Sequence, residues 1–299
     1  MKSDLISLAL WNSRELADLL AAAARMKAER PASAAPLARQ SVAMIFEKQS
    51  LRTRVAFEVG IAELGGHPIF LQQEAIGLAT RESVYDIGRV LSEYCSIIVA
   101  RTTKHQTCVQ LAESASVPVV NAMTDLVHPC QILADAMTLQ EIGRFTPSTR
   151  IAFVGEGNNM ANSWLELAEK FPLTLVFSCP PGYDPHPQIL AQTQAAGIST
   201  ILFAADPLGA AEGADVIYTD VWPAGESTQN KKQDLFRQYQ VNKELLKHAH
   251  PDCVVMHRLP AHRGEEITGE VLDGKHSVAI QEASNRLHVH KAILSTLVD

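Results

Sequence analysis

Short apolar runs alternate with amphipathic segments of helical period through the first half of the chain. The run at 42–46 is followed by a helix-like segment at 54–64. A first helix is predicted at 13–26, with Ser13 as its N-cap. Such alternation predicts a parallel sheet with helices on both faces. The further predicted strands are 68–71, 96–100 and 117–121, and the further helices are 82–94, 105–115 and 129–142.

The pattern starts again in the second half, where a strand at 150–154, a glycine turn and a helix follow one another. We therefore predict an α/β fold of two doubly wound parallel-sheet domains, 1–145 and 146–299. The remaining predicted strands are 174–178, 198–203, 216–219 and 254–257.

The composition is that of an ordinary globular chain, with 46% hydrophobic and 20% charged residues among 299. A net charge of −7 provides no general basic surface for nucleic acid, so any anion site must be local. Five dispersed cysteines without a CxxC pair fit the reduced thiols of a cytosolic protein. No metal-ligand set stands out among the eleven histidines, and no apolar run reaches the ~20 residues of a membrane span. We predict a cytoplasmic protein without a metal, membrane or nucleic-acid partner.

Two hydroxyls and two guanidiniums are concentrated between a predicted strand and a predicted helix. They belong to Ser50, Arg52, Thr53 and Arg54. A helix start presents free backbone N–H groups and the positive end of the helix dipole, and these side chains add further donors. The pattern predicts a site for a phosphate or phosphoryl ester, although the glycines and lysine of a P-loop are absent. The alternative is a helix N-cap followed by surface arginines.

Polar groups follow five predicted strands at their carboxyl ends, where ligands bind in doubly wound sheets. Any one group alone is typical of a loop, a cap or a salt bridge, but five together favour a ligand-binding edge. The turn Gly155-Glu156-Gly157 lacks the third glycine of a dinucleotide fingerprint, which argues against a dehydrogenase. The groups are Arg101, His128 with Gln131, Asn158 with Asn159, Asp220, and Arg258 with Leu259.

Taken together, these segments resemble the carbamoyltransferase family, and within it the ornithine branch. The resemblance runs from about residue 5 to about residue 297. It implies two α/β domains with an active-site cleft between them, a C-terminal helix that packs back on the first domain, and a homotrimer or a multiple of trimers. The motifs that carry it are the segments 47–54, 128–131, 155–160, 257–266 and 282–287.

The resemblance implies carbamoyl phosphate as the first substrate and no cofactor. At its position in the motifs, His128 would donate to the carbonyl oxygen, where negative charge grows during attack. Gln131, one helical turn further on, would hold the carbamoyl NH₂ group. The other residues implied at this substrate are Ser50, Leu51, Arg52, Thr53, Arg101, Leu259 and Arg286.

On the acceptor side, the resemblance implies ornithine and a role in arginine biosynthesis, with Asn159 and Asp220 holding the amino-acid head group. The attacking amine must be neutral, and its proton leaves to the departing phosphate, so no dedicated protein base is expected. Catalysis would then rest on positioning and electrostatics. The implied catalytic residues are Arg52, Arg101, His128 and Arg258.

Two segments depart from the pattern of the ornithine branch. Arg258-Leu259-Pro260 stands where Cys-Leu-Pro is usual, and an arginine would repel an ammonium and attract a carboxylate or phosphate. A second segment, Pro223-Ala224-Gly225, stands where a Ser-Met-Gly loop is expected. Three functions therefore stay open: carbamoylation of ornithine, carbamoylation of a different amine such as one with an extra acidic group, and non-catalytic binding of carbamoyl phosphate or a related anion.

Overall fold

The computed structural model describes residues 3–30, 35–222 and 234–298, and the chain divides into two compact units. Unit 1 contains Met1–Met137 and Ser284–Asp299, and unit 2 contains Thr138–Ala283. The predicted loop departure at Pro223-Ala224-Gly225 lies outside the described residues. Within the described residues, no helix combines the length and the apolar character needed to cross a bilayer.

Four parallel strands form the sheet of unit 1: β1 (Ser41–Phe46), β2 (His67–Gln72), β3 (Ile97–Arg101) and β4 (Val119–Met123). Their spatial order is β2-β1-β3-β4. The chain moves outward from β1 to β2 and then returns to the other side of β1 as β3. In such sheets the point of reversal leaves a crevice at the carboxyl ends of the two central strands.

The helices of unit 1 cover this sheet. Asn12, not the predicted Ser13, caps the first of them, because the Asn12 side chain accepts from the N–H of Glu15 while the Glu15 carboxylate accepts from the N–H of Asn12. Ser13 is the first helical residue. The helices are α1 (Ser13–Ala28), α2 (Leu51–Glu63), α3 (Gln73–Ile76), α4 (Val84–Tyr94), α5 (His105–Ser114) and α6 (Pro129–Glu141), of which α6 continues into unit 2 from Thr138.

Five parallel strands form the sheet of unit 2 in the order β7-β6-β5-β8-β9, so its chain reverses between β5 and β8. The prediction of two parallel-sheet α/β domains is confirmed. The strands are β5 (Arg150–Val154), β6 (Thr174–Ser178), β7 (Thr200–Phe203), β8 (Val216–Tyr218) and β9 (Val254–Met256). The helices are α7 (Asn159–Ala168), α8 (Pro187–Ala196), α9 (Pro207–Ala211), α10 (Lys243–Leu246), α11 (Gly269–Leu272) and α12 (Ala279–Val298), of which α12 lies mostly in unit 1.

A buried aromatic contact joins α2 to α12 in unit 1. The His290 ring stacks on the Phe57 ring with 3.8 Å between centroids, and both side chains are fully buried. Neither ring nitrogen of His290 has a hydrogen-bond partner among the described residues. Burial, and secondarily the charge of Arg286, holds the pKa of His290 well below its ordinary value of 6.5. The ring is therefore a neutral packing group in the folded protein.

This contact predicts an acid sensitivity of the fold. Because the folded-state pKa of His290 lies below the unfolded value, the unfolded chain takes up the additional proton, and stability falls as the pH drops below 6.5. The contribution of this one group should approach about 1.4 kcal/mol per pH unit. The His290→Leu variant should lose this pH-dependent part of the free energy of unfolding, which urea unfolding between about pH 7 and about pH 5 measures. A difference between the two proteins that does not change with pH would contradict the assignment.

Candidate active site

The hydroxyl-and-guanidinium segment lies at the chain reversal of unit 1. Phe46, the last residue of β1, pairs with Arg101, the last residue of β3. The N–H of Glu47 then donates to the carbonyl oxygen of Arg101 at 3.0 Å, which extends the ladder one residue past the strand. Arg101 therefore lies beside the loop that leads from β1 into α2, as its place at a strand end predicted.

Ser50 is the N-cap residue of α2, but its side chain makes no hydrogen bond to the first turn of the helix. The first backbone N–H groups of a helix have no partner within the helix, and a capping side chain normally satisfies one of them. Because the Ser50 side chain satisfies none of these N–H groups, they can donate to an external acceptor such as an anion. This favours the anion-site interpretation of the segment over a simple N-cap.

Thr53 is buried on the first turn of α2 and accepts a hydrogen bond from Nη2 of Arg286, which is buried on α12. The contact joins two motifs that are 233 residues apart in sequence. A hydroxyl oxygen that accepts from a guanidinium keeps its own O–H as a donor. Thr53 and Arg286 thus come together in unit 1, as the resemblance implied.

The two arginines of the segment have different surroundings. The guanidinium of Arg54 lies 3.5 Å above the ring centroid of Phe70, and its Nε donates to Glu58 at 2.9 Å. Arg52, on the same turn of the helix, is half-buried. Leu51 is 72% exposed, so only its backbone N–H suits an anion. Arg54 is committed to packing, and Arg52 is the stronger candidate for binding an anion.

His128 and Gln131 lie at the start of α6 and are both buried. The Gln131 N–H donates to the carbonyl oxygen of His128 at 3.1 Å. The side-chain amide of Gln131 donates through Nε2 to Asp135 at 2.8 Å, which orients its carbonyl as the acceptor end. Cys130 between them is an inert packing group, since burial raises the pKa of its thiol to about 12 although Arg286 acts in the opposite direction.

The glycine turn of unit 2 follows β5 and leads into α7. The N–H of Gly157 donates to the carbonyl oxygen of Tyr183 at 2.7 Å. A Cβ at Gly157 would lie only 2.3 Å from the backbone nitrogen of Pro185. The close approach of the 184–185 backbone therefore requires a glycine at position 157. This packing accounts for the glycine, so no bound dinucleotide is needed to explain it.

Asn158 caps α7 by accepting from the N–H of Met160 at 2.9 Å, and Asn159 is the first, buried residue of the helix.

Asp220 follows β8 across the reversal point of the unit 2 sheet, and its carboxylate is almost completely buried. Its Oδ2 accepts from Nε of Arg258 at 2.7 Å and from Nδ2 of Asn158 at 2.9 Å. The side chain of Arg258 is only 12% exposed. The anionic group that meets Arg258 is thus a carboxylate of the protein itself. Asn158, Asp220 and Arg258 form the acceptor cluster, a name used below for these three residues.

The loop that carries Arg258 and Leu259 is fixed by His257, which is fully buried. Its Nδ1 accepts from the N–H of Leu259 at 2.9 Å, so the ring proton is on Nε2 and donates to Glu266 at 3.0 Å. Its backbone N–H donates to Glu282 at 3.1 Å. Leu259 adopts φ of 56° and packs beside the apolar core of unit 2. His257 takes part in three hydrogen bonds, and these hold the segment that places Arg258 against Asp220.

Sequence reasoning missed two features of the acceptor cluster. It placed Asn158 and Asn159 at the same strand end but gave the amino-acid head group to Asn159 alone, although an asparagine at a helix N-cap is a recognisable signal. It also treated Arg258 and Asp220 separately, because nothing in the linear spacing of 38 residues indicates that they pair. The supporting histidine, His257, carried no signal beyond its place next to Arg258.

One group of potential metal ligands occurs among the described residues, although the sequence suggested none. It consists of His262, Glu265 and Glu266, whose candidate ligand atoms lie within 4.8 Å of one another. One oxygen of Glu266 already accepts from His257 and from the backbone of His262. That carboxylate has a structural role in holding the Arg258 loop, and we assign no metal to it.

Comparison with known families decides the class of protein. Residues 3–141 match the carbamoyl-P binding domain of the aspartate/ornithine carbamoyltransferases, and residues 148–297 match the Asp/Orn binding domain. The chain belongs to the aspartate/ornithine carbamoyltransferase family. It is therefore a carbamoyltransferase, and the resemblance of the five sequence motifs is confirmed.

Individual relatives agree over nearly the whole length of this carbamoyltransferase. The ornithine carbamoyltransferase of Desulfotalea psychrophila is 47% identical over 298 residues, with 98% of each chain covered. That of Chlorobaculum tepidum is 48% identical over 88% of this chain and 79% of its own. The structure of ornithine carbamoyltransferase from Pyrococcus furiosus matches with a TM-score of 0.94 at 40% identity, covering 98% of this chain and 96% of that one.

The close approach at Gly157 predicts a sharp difference between two glycines of unit 2. Gly157→Ala should force the backbone at 184–185 to move, at a cost of about 1–3 kcal/mol, and should displace Asn158 from Asp220. The matched control is Gly209→Ala in α9, where the added Cβ meets only ordinary contacts, the nearest at 3.6 Å. Thermal unfolding measures both variants. Equal stability of the two would show that the 155–158 turn is not constrained as described.

Proposed function

We propose that this carbamoyltransferase moves the carbamoyl group of carbamoyl phosphate to the side-chain amine of ornithine, giving citrulline and phosphate. The proposal is supported by three features of unit 1: the start of α2 has no side-chain cap, Thr53 is bonded to Arg286, and Arg101 ends the strand that pairs with β1. The relatives named ornithine carbamoyltransferase support the choice of acceptor. The predicted domain 1–145 would bind carbamoyl phosphate, and 146–299 would bind the amine.

Binding of the phosphate would use the donors at the start of α2. Ser50, Arg52 and Thr53 supply side-chain donors, and backbone N–H groups from Leu51 onward add the positive end of the helix dipole. Arg101 would neutralise the dianion from the neighbouring strand end. This arrangement also stabilises the phosphate as it leaves, because its negative charge increases when the bond to the carbamoyl carbon breaks.

The carbamoyl group would be held by the residues around the start of α6. His128 would donate to the carbonyl oxygen, and the acceptor end of Gln131, oriented by Asp135, would take the NH₂ group. In the proposal, Arg286 and the backbone of Leu259 are the remaining groups that bind carbamoyl phosphate. Attack by a neutral amine on the carbonyl carbon expels phosphate, which takes the amine proton. The chemistry then needs positioned donors and no protein base.

The amine side of the proposal rests on the acceptor cluster together with Asn159. Asp220 is a buried carboxylate suited to an ammonium, and Asn158 and Arg258 hold it in place. Because Asp220 already neutralises the charge of Arg258, the acceptor amine does not need an additional acidic group to pair with that arginine. This weakens the case for a different amine, and the intact anion site weakens the case for a protein without catalytic activity.

Finer properties belong to the proposal as well. A homotrimer or a multiple of trimers, a cytoplasmic location and a role in arginine biosynthesis are what the family resemblance implies. Sedimentation velocity on the purified protein tests the first of these, with a species of three chains expected.

Removal of the Arg52 guanidinium should weaken the transition state by about 2–4 kcal/mol, the scale of a lost charged donor in a dry site. Arg52→Ala is therefore expected to reduce kcat/KM for carbamoyl phosphate, as measured by citrulline formation. Arg30→Ala is the matched control, since Arg30 pairs at 2.7 Å with Glu63 at the far end of α2 and is half-exposed. Near-normal turnover by Arg52→Ala would mean that the anion site is wrongly assigned.

The choice of acceptor is tested by phosphate release from carbamoyl phosphate with a panel of amines. Ornithine should give the highest kcat/KM among ornithine, lysine, putrescine and N-acetylornithine. Turnover with another amine while ornithine fails would support the altered-acceptor alternative. Release that no amine accelerates would support a binding protein.

A further inference from the structure

Two helices of unit 1, α2 and α12, are in contact over most of the length of α2, and Arg286 lies at one end of this contact. Near the start of α2, the buried Thr53 hydroxyl accepts from Nη2 of Arg286. One helical turn further along both helices, the Phe57 and His290 rings stack with 3.8 Å between centroids. The contacts therefore advance in the same direction along both helices.

The other end of this contact is a close approach beside a buried ion pair. A Cβ on Gly60 would lie 3.2 Å from Cγ of Lys291 and 3.6 Å from Cδ1 of Leu287, so the glycine lets α12 pack closely against α2. The Lys291 side chain is fully buried, and its Nζ donates at 2.7 Å to Oε2 of Glu63, the last residue of α2. Lys291 is thus held along its stem by packing and at its end by charge.

The ion pair restricts where α12 lies along α2. A buried ammonium that loses its carboxylate partner is strongly destabilising, so Lys291 and Glu63 must stay together in the folded protein. Arg30 also binds Glu63, through Nη2 at 2.7 Å, but its side chain is 48% exposed and it follows α1. Of these two cations, only Lys291 belongs to the helix that carries Arg286.

We propose that the Lys291–Glu63 ion pair positions Arg286 in the carbamoyl phosphate site. It fixes the place along α2 at which α12 packs, and that place decides whether the Arg286 guanidinium meets the Thr53 hydroxyl. Lys291 is a positioning residue and touches no substrate. This inference rests on the proposed function, in which Arg286 and Thr53 bind carbamoyl phosphate. It adds two residues that lie outside the motif segments 47–54 and 282–287.

A double-mutant cycle on ligand affinity separates positioning from stability. Lys291→Met removes the ammonium but keeps an unbranched stem, and Glu63 keeps Arg30 as a partner. Calorimetry should show a Kd for carbamoyl phosphate about 5- to 30-fold higher in this variant, within the range of couplings between residues of one network. A purely structural role would lower the free energy of unfolding without changing the Kd of the folded protein.

The second arm of the cycle starts from a protein that already carries Arg286→Met. There, adding Lys291→Met should change the Kd by less than about 2-fold, because the group that Lys291 positions has been removed. Where binding is too weak for calorimetry, kcat/KM for carbamoyl phosphate supplies the same ratio.

Two further variants complete the design. Arg30→Met is the matched control, because it removes the other cation from the same carboxylate without changing α12, and it should leave the Kd unchanged. Gly60→Ala keeps both charges of the ion pair, but its methyl group would press on the Lys291 stem. It should raise the Kd by a smaller factor than Lys291→Met, and it carries the test if Lys291→Met does not fold.

Three results would overturn the inference: an unchanged Kd in the Lys291 variant (or in Gly60→Ala where that variant carries the test), an equal rise in Kd with and without Arg286→Met, or an equal rise in Arg30→Met. Failure of the proposed function gives a different result. The natural protein would then form no citrulline from ornithine, while the dependence of carbamoyl phosphate binding on Lys291 and Arg286 would remain.

Discussion

The pairing of β1 with β3 in unit 1 is the constraint on which the anion site depends. These two strands are adjacent in space but separated in sequence by β2, so their carboxyl ends meet where the chain reverses. The register places Phe46 opposite Arg101, and the backbone bond from Glu47 extends the pairing into the loop. The helix α2 starts a few residues after this loop begins, and no side-chain cap satisfies the N–H groups of its first turn. The same sheet geometry recurs in unit 2, where Gly155 follows β5 and Asp220 follows β8.

The two units satisfy their buried polar groups in different ways. In unit 1, Arg101, Arg286 and the start of α2 are all groups that favour negative charge. In unit 2 the described charges of the acceptor cluster are balanced internally, since Asp220 accepts from both Arg258 and Asn158. A dianion is therefore the natural ligand of the first arrangement.

Local sequence predicted the parts of the site that follow from local structure. The alternation of apolar runs and helical segments predicted the parallel sheets, and the polar residues at strand ends were identified because that position has a general meaning in such folds. Ser13 was wrong as a cap because Asn12 competes for the same role and completes a capping box with Glu15. Arg54 belongs to the same motif as Arg52, yet only the fold reveals that the Phe70 ring engages it.

Long-range contacts were beyond sequence reasoning without the family resemblance. The bond between Thr53 and Arg286 and the ion pair between Asp220 and Arg258 join distant segments, and no spacing rule predicts either. The departure at position 258 was visible in sequence, but its partner was not. The role of His257 in fixing the 257–260 loop likewise depends on Glu266 and Glu282, which reach it only through the fold.

A crystal structure with bound carbamoyl phosphate tests the central claim most directly. The account predicts phosphate oxygens within hydrogen-bond distance of Ser50, Arg52, Thr53 and the first backbone N–H groups of α2, with Arg101 beside them. Density for the ligand at another site, with the start of α2 facing only water, would contradict it.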